Sequence, residues 1–307
     1  MKKIDIPIFI PSYHRPDNIK TMNYFLSIGY PADLIHVFID DEADDAAEYE
    51  ANVVGRGCNL HIFNIEEERK RFDFVHRASV SRRAAGMSRN SFYDYAKEAG
   101  IDFFIMQDDD TQGYQIKKFG KYLRKATSED IFSTFIAIKE MMERRRIGLF
   151  GLSQTGDVYG IHTRLFRPKV MNTTFVNARF ITRGEKGVQD DDTSQFVNIY
   201  NEGLFCGSLG DGVILSQMAS ATQKGGLTDL YRENKLLNKA LVTPIQFPSA
   251  IHAERQKKNG NRLHHRVNYR YLRPMVLRGG QRDNIAWDTY PEDVPFTNMP
   301  LNRTIEG

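Results

Sequence analysis

Short, nearly unbroken apolar runs recur along the first hundred residues, and a polar stretch with helical spacing follows each of them. "IDIPIFIPSY" (4–13), "LIHVFID" (34–40), "NLHIFNIE" (59–66) and the run 101–106 in "GIDFFIMQDDD" predict four strands. Continuous rather than alternating apolarity is the mark of strands covered on both faces. Between them, "RPDNIKTMNYFLSIGY" predicts a helix with Pro16 at its start and Gly29 at its end. The acidic segment to about Val54 predicts a second helix, and "SRNSFYDYAKEAG" (88–100) a third that Gly100 closes. Strands alternating with helices make a parallel α/β sheet, in which ligands bind beyond the carboxyl ends of the strands. "SYHR", "DDEADD" and "QDDD" all fall at such ends.

The second half is less regular. "SEDIFSTFIAIKEMMERRR" (128–146) predicts a helix capped by Ser128, and "IGLFGLS" (147–153) and 157–166 predict strands. "TTFVNARFITRGE" predicts a strand pair, "DDDTSQFVNIYNEG" (190–203) a helix, "GVILSQMASATQ" a strand and "TDLYRENKLLNKAL" a helix.

A chain of 307 residues can bury a large core, and 41% hydrophobic with 26% charged residues is ordinary for a globular protein. The opening "MKKIDIPIFIPSYHRPD" is a poor signal peptide, because Asp5, Pro7 and Pro11 interrupt its apolar run and no small-residue cleavage site follows. No apolar stretch approaches the ~20 residues of a membrane span. Two cysteines, Cys58 and Cys206, are too few for a disulfide framework and read as buried thiols. A cytoplasmic protein with no membrane partner is expected. Net charge is +3, but 40–50 is acidic while Arg255, Lys257, Lys258, Arg262, Arg266, Arg270, Arg273, Arg278 and Arg282 form a basic C-terminal stretch with no acid. Such asymmetry fits either an anionic partner or a solvated surface.

Asp108 and Asp110, one residue apart on a turn after a strand, can reach one hard cation, and Mn²⁺ or Mg²⁺ favours such oxygen ligands. Taken alone, three acids in a row also describe a solvated turn. The order of four features resembles the GT-A glycosyltransferases, which use nucleotide sugars and carry a DxD motif. These are "PSYHRPD" after the first strand, "VFIDDEAD" at the end of the second, the Arg-Asn helix before "FFIMQDDD", and the acids opening a helix in "GVQDDDTSQFVNIYNEG". The first of these, with the "QDDD" strand end and the basic C-terminus, most resembles the TET-associated glycosyltransferase family, mostly phage enzymes that modify DNA bases.

This resemblance implies a GT-A type, Rossmann-like α/β fold: a mixed, mainly parallel sheet flanked by helices, with a C-terminal acceptor-side extension. It places a glycosyltransferase domain at 1–245, with a nucleotide-binding half (1–110) and an acceptor half (111–245), and a basic extension at 246–307 packing on it. Ser12, Tyr13 and Arg15 would line the nucleotide pocket, Asp40 would accept the imide N–H of uracil, and Arg89 would face the diphosphate. Asp108 would lie near ribose or metal-bound water, and Asp110 would hold the metal directly. Asp109, between them, would point away and matter less.

Asp191 or Asp192 would be the catalytic base, although acids at a helix start also cap it. His252 is the first choice for a further metal ligand, ahead of His264 and His265. The implied donor is a UDP-sugar. The implied acceptor is 5-hydroxymethylcytosine or 5-hydroxymethyluracil in DNA, with Arg262, Arg266 and Arg270 gripping the nucleic acid and "TQKGG" (222–226) and 144–146 nearby. Lys and Arg alternating with Tyr269 and Tyr271 suit phosphate contacts and base stacking. A glycan or protein acceptor, or a non-catalytic nucleotide-sugar-binding module, are the alternatives. A dehydrogenase is disfavoured, since no G-x-G-x-x-G follows the first strand; a phosphoryl-transfer enzyme with clustered acids stays open, although no P-loop is present.

Overall fold

The computed structural model describes residues 3–71, 85–118, 121–145, 147–154, 166–167, 169–170, 173–181, 191–217, 237–256 and 262–272. The chain begins with β1 (Ile8–Pro11), α1 (Lys20–Ser27), β2 (Ile35–Asp40), α2 (Ala46–Val53) and β3 (Asn59–Phe63). Then come α3 (Ile65–Arg71), α4 (Ala85–Glu98) and β4 (Phe103–Met106). The four expected strands pair in parallel in the order β3-β2-β1-β4, with Ile8 beside Ile35 on one side and Ile105 on the other.

In β1, β2 and β4 the unbroken apolar runs are explained by burial on both faces, whereas β3 lies at the sheet edge with Ile62 exposed. Ile8, Ile10, Val37, Ile39 and Ile105 point into one cluster, with Met22 and Phe25 of α1 and Tyr49 and Val53 of α2. Phe9, Phe38, Phe104 and Met106 point into the other, with Phe92 and Ala96 of α4. Each such side chain removed from water contributes roughly 1.5–3 kcal/mol, so the runs leave little choice of register.

The second half adds β5 (Thr111–Lys118), β6 (Lys121–Lys125), α5 (Ser128–Arg145), β7 (Ile147–Gln154), β8 (Phe166–Arg167), β9 (Thr174–Asn177), α6 (Asp191–Asn201) and β10 (Phe205–Gln217). The sheet continues β4-β9-β7-β10-β5-β6, with β8 beside β10. Strands β1, β2, β3, β4, β6, β7 and β10 run one way, and β5, β8 and β9 the other. The expected mixed, mainly parallel sheet flanked by helices is therefore present. After α7 (Leu237–Gln246), β11 (Ile251–Gln256) and β12 (Arg262–Val267) form a separate antiparallel ribbon. Ile251 and Leu272 insert into the second cluster beside Phe196 of α6, so the start of the C-terminal extension shares the main core.

Three local expectations change. Helix α1 begins at Lys20 rather than at Pro16, because the amide of Asn18 turns back to the carbonyl of Arg15 (3.1 Å). Thr127, not Ser128, caps α5: its hydroxyl accepts from the amide of Asp130 (3.2 Å), and Asp130 accepts from the amide of Thr127 (2.7 Å). The β5–β6 pair was not anticipated. Residues 178–180 form a turn after β9, while most of 157–166, residues 182–185 and the N-terminal part of the helix expected at 228–241 lie outside the described residues. Among the described residues, no helix is long and apolar enough to cross a membrane.

Candidate active site

From β1 the chain moves outward to β2 and β3 on one side, whereas β4 opens the opposite half of the sheet. The connections therefore part between the carboxyl ends of β1 and β4, which is where an open α/β sheet leaves a crevice. Residues 12–15 leave β1 at this point and 107–110 leave β4.

The backbone of the 108–110 turn is held from both sides. Gln107 is 2% exposed, and its amide donates to the carbonyl of Phe9 (3.0 Å) as the last rung of the ladder. Its side chain donates to the Thr111 hydroxyl and accepts from Tyr114 (3.3 Å). Thr21, in the first turn of α1, binds the other side. Its amide donates to the carbonyl of Asp109 (3.1 Å), its hydroxyl donates to the carbonyl of Asp108, and the same oxygen accepts from the amide of Thr111 (2.9 Å). The first residues of a helix carry unsatisfied N–H groups and partial positive charge, which suits them to an acidic turn.

Side chains in the turn have separate partners. Arg89 of α4 donates from Nη2 to Oδ1 of Asp108 (2.6 Å). Arg15 donates from Nη1 to Oδ1 of Asp109 (2.5 Å), and the Ser12 hydroxyl donates to Oδ2 (3.2 Å). Tyr49 of α2 accepts from the amide of Arg15 (3.0 Å) and lies 2.8 Å from the Ser12 oxygen. Since Ser12 donates to Asp109, Tyr49 donates to Ser12, and a directed chain runs from the Arg15 amide through Tyr49 and Ser12 to Asp109. Burial pushes the Tyr49 hydroxyl up to about 12. Burial also pushes the Asp109 carboxyl up to about 7; Arg15 and Ser12 oppose this, and Asp110 and Asp108 add to it. Asp109 thus does not point idly to solvent. It anchors the loop after β1. Asp110 is 5% exposed at the start of β5.

The remaining residues fall in several places. Asp40, at the end of β2, is buried and accepts from the amide of Glu42 (3.1 Å). Tyr13 lies against His14, with ring centroids 3.9 Å apart. Asp191 is the first residue of α6, and Oδ1 of Asp192 accepts from the amide of Thr193 (2.7 Å). His252 is not brought together with Asp108 and Asp110. It lies on the exposed side of β11, its Nε2 3.8 Å from Glu254, which also accepts from Arg266 (3.0 Å). Arg262 opens β12, and Arg270 is exposed in the short turn Tyr269–Tyr271. "TQKGG" (222–226), Arg146 and Asp190 lie outside the described residues.

Sequence reasoning missed one group. His14, Asp44 and Asp45 bring their ligand atoms within 4.8 Å of one another, with Nδ1 of His14 3.3 Å from Asp45 and 3.6 Å from Asp44. Among the described residues this is the one such trio of His, Cys, Asp or Glu, and Asp108 and Asp110 belong to none. Two carboxylates of a turn still fit Mg²⁺ or Mn²⁺, which takes one or two protein carboxylates and draws its other ligands from phosphate and water.

A largely buried acidic turn at the switch point of a mixed α/β sheet, flanked by arginines, is the arrangement expected from the resemblance to the glycosyltransferases. Within that class the chain belongs to the TET-Associated Glycosyltransferase family, whose sequence model matches residues 6–226. A sequence comparison with curated proteins gives no match. Among solved structures, the chain is similar to a mannosyltransferase from Pyrobaculum calidifontis in complex with GDP-Man and Mn²⁺ (TM-score 0.47, 11% identity, 78% of this chain). It spans 64% of the length of that enzyme. It is also similar to glucosyl-3-phosphoglycerate synthase from Mycobacterium tuberculosis in complex with Mn²⁺, UDP-glucose and phosphoglyceric acid (TM-score 0.44, 12% identity). That likeness covers 91% of this chain and 90% of the other.

Proposed function

We propose that the protein transfers a sugar from a UDP-sugar to the hydroxymethyl group of a modified pyrimidine, 5-hydroxymethylcytosine or 5-hydroxymethyluracil, in DNA. The observation that carries the donor half is the 108–110 turn, pinned by Gln107 and Thr21 between Arg15 and Arg89. Ser12, Tyr13 and Arg15 form the nucleotide side of the crevice, and Asp40 accepts the imide N–H of the base. Asp110 and Asp108 hold the divalent cation, Mn²⁺ or Mg²⁺. When bound, that cation offsets the charge of the departing nucleoside diphosphate. Arg89 supplies further positive charge on the same side.

In the reaction the acceptor oxygen bonds to the anomeric carbon as the bond from that carbon to the diphosphate oxygen breaks. Asp191 or Asp192 takes the hydroxyl proton, and the nucleoside diphosphate leaves with the bonding electron pair.

The acceptor half rests on the family's name and on the β11–β12 ribbon. Arg266 is exposed there, and Arg270 and Tyr271 are exposed in the short turn that follows, an arrangement suited to phosphate contacts with base stacking. A duplex base would have to be flipped out for its hydroxymethyl group to reach the sugar. The test is mass spectrometry of hydroxymethylated DNA incubated with the protein, Mn²⁺ and individual nucleotide sugars. A hexose mass added to the base supports the reading. Donor hydrolysis without DNA modification would move the acceptor to a glycan or protein.

A further inference from the structure

Beneath the acidic turn the core is not purely apolar. Thr21 of α1, Gln107 after β4, Thr111 and Tyr114 of β5, and Thr173 just before β9 are all between 0% and 2% exposed. Their hydrogen bonds run in one direction. Tyr114 donates to Oε1 of Gln107 (3.3 Å), which commits its one proton, so the Thr173 hydroxyl, 3.4 Å away, donates to the Tyr114 oxygen. Burial pushes the Tyr114 hydroxyl well above the usual phenol range, so it stays a donor. The side-chain amide of Gln107 donates to the Thr111 hydroxyl, and the backbone amide of Thr111 donates to the Thr21 hydroxyl (2.9 Å). That hydroxyl donates in turn to the carbonyl of Asp108. A relay thus runs from Thr173 to the backbone of the turn, and a buried network of this kind fixes its members in one arrangement.

Thr173 is the unusual member. Its φ of 51° is left-handed, a conformation that a β-branched residue seldom adopts and that glycine takes at no steric cost. It stands where the two halves of the sheet meet. Thr174 opens β9 opposite Met106, which puts Thr173 level with Gln107 at the carboxyl end of β4. Strained residues persist only where the surrounding structure holds them, and they gather at functional sites. The backbone here does not call for a threonine. The hydroxyl does, because it starts the relay.

We infer, on the donor-site reading above, that Thr173 is a positioning residue for the metal turn. Through Tyr114 and Gln107 it sets residues 108–110 against α1, and so fixes where Asp108 and Asp110 stand relative to a nucleoside diphosphate. At 1% exposure it acts through these neighbours and not on the ligand. The same relay ties the entry of β9, in the second half of the sheet, to the turn that holds the donor. A displacement of about 1 Å at a site can cost on the order of 100-fold in rate, so a hydroxyl that touches no ligand affects binding and turnover.

The test is titration of the full chain with UDP in the presence of saturating Mn²⁺, with thermal melts of the same samples. Thr173→Val keeps the branched shape and loses the hydroxyl, Thr173→Ser keeps the hydroxyl, and Tyr114→Phe breaks the relay one link on. Thr134→Val is the control for a lost buried hydrogen bond as such, since Thr134 is 0% exposed and its hydroxyl donates to the carbonyl of Asp130 (2.6 Å) within α5. Thr173→Val and Tyr114→Phe should each weaken UDP binding about 10-fold, and Thr173→Ser should stay within about 2-fold of wild type. Thr134→Val should lower the melting temperature and leave UDP affinity unchanged. A merely structural Thr173 would behave as Thr134 does. Unchanged UDP affinity in Thr173→Val and Tyr114→Phe, or a loss in Thr173→Ser equal to that in Thr173→Val, overturns the inference and leaves the donor site standing. Should Thr173→Val not fold, Tyr114→Phe decides by the same criterion. A wild type that does not bind UDP with Mn²⁺ removes the donor-site reading, and the role of Thr173 with it.

Discussion

The pentapeptide Gln-Asp-Asp-Asp-Thr occurs twice, at 107–111 and at 189–193, and the two copies have different surroundings. The first follows a buried strand, where Gln107 and Thr111 hydrogen-bond to each other and Thr21 ties the turn to α1. Two of its carboxylates meet arginines from other parts of the chain. The second leads into α6: Asp191 is its first residue, and Asp192 accepts from the Thr193 amide. Acids there complement the helix end. Identical residues thus serve a convergent charged site in one place and a helix terminus that presents acids in the other. The partners, not the motif, decide which.

That contrast can be broken by substitution. Asp110→Asn should lower transfer by on the order of 10³ and abolish metal-supported nucleotide binding, measured by turnover and titration. The base among Asp191 and Asp192, changed to Asn, should cost on the order of 10² in kcat and leave nucleotide binding intact. The reverse pattern would exchange the roles of the two copies. Tyr49→Phe removes the hydroxyl joining Ser12 to the Arg15 amide and should destabilise by about 1–3 kcal/mol in denaturant unfolding. For the acceptor side, Arg266→Ala and Arg270→Ala should each lower the salt slope of DNA binding by about 1.

The smallest effect concerns stability alone. His36 and His61 pack ring to ring with nitrogens 2.9 Å apart, and each is lowered to about 4, chiefly by burial. The unfolded chain binds protons near 6.5 and the folded pair only near 4, so stability is complete above about pH 6.5 and falls as pH drops toward 4. His61→Gln should flatten that slope in thermal melts.

Much of the first half of the sheet was legible in the sequence, because strands buried on both faces must be continuously apolar and leave their polar residues to the carboxyl ends. The β5–β6 pair was not, although Tyr114 and Ile116 alternate as buried residues in β5, because the segment around them is rich in lysine. Pro16 misdirected the start of α1, since a proline suits the turn before a helix as well as its first residue. The role of Asp109 depends on Ser12 and Arg15, 97 and 94 residues away, a distance no local period can bridge. Tyr49 reads as one more helix residue until its hydroxyl is placed beside Ser12. His14, Asp44 and Asp45 likewise meet only because β1 and β2 end side by side.

On the proposed function, metal and nucleotide meet at the turn 108–110 and not at its copy, 189–193. Thermal-shift measurement of the wild-type protein and Asp110→Asn with UDP, with Mn²⁺ and with both tests it most directly. A clear rise in melting temperature is expected for the wild type only when UDP and Mn²⁺ are both present, and no such rise for Asp110→Asn. Equal stabilisation by UDP without metal, or a full response from Asp110→Asn, would contradict it.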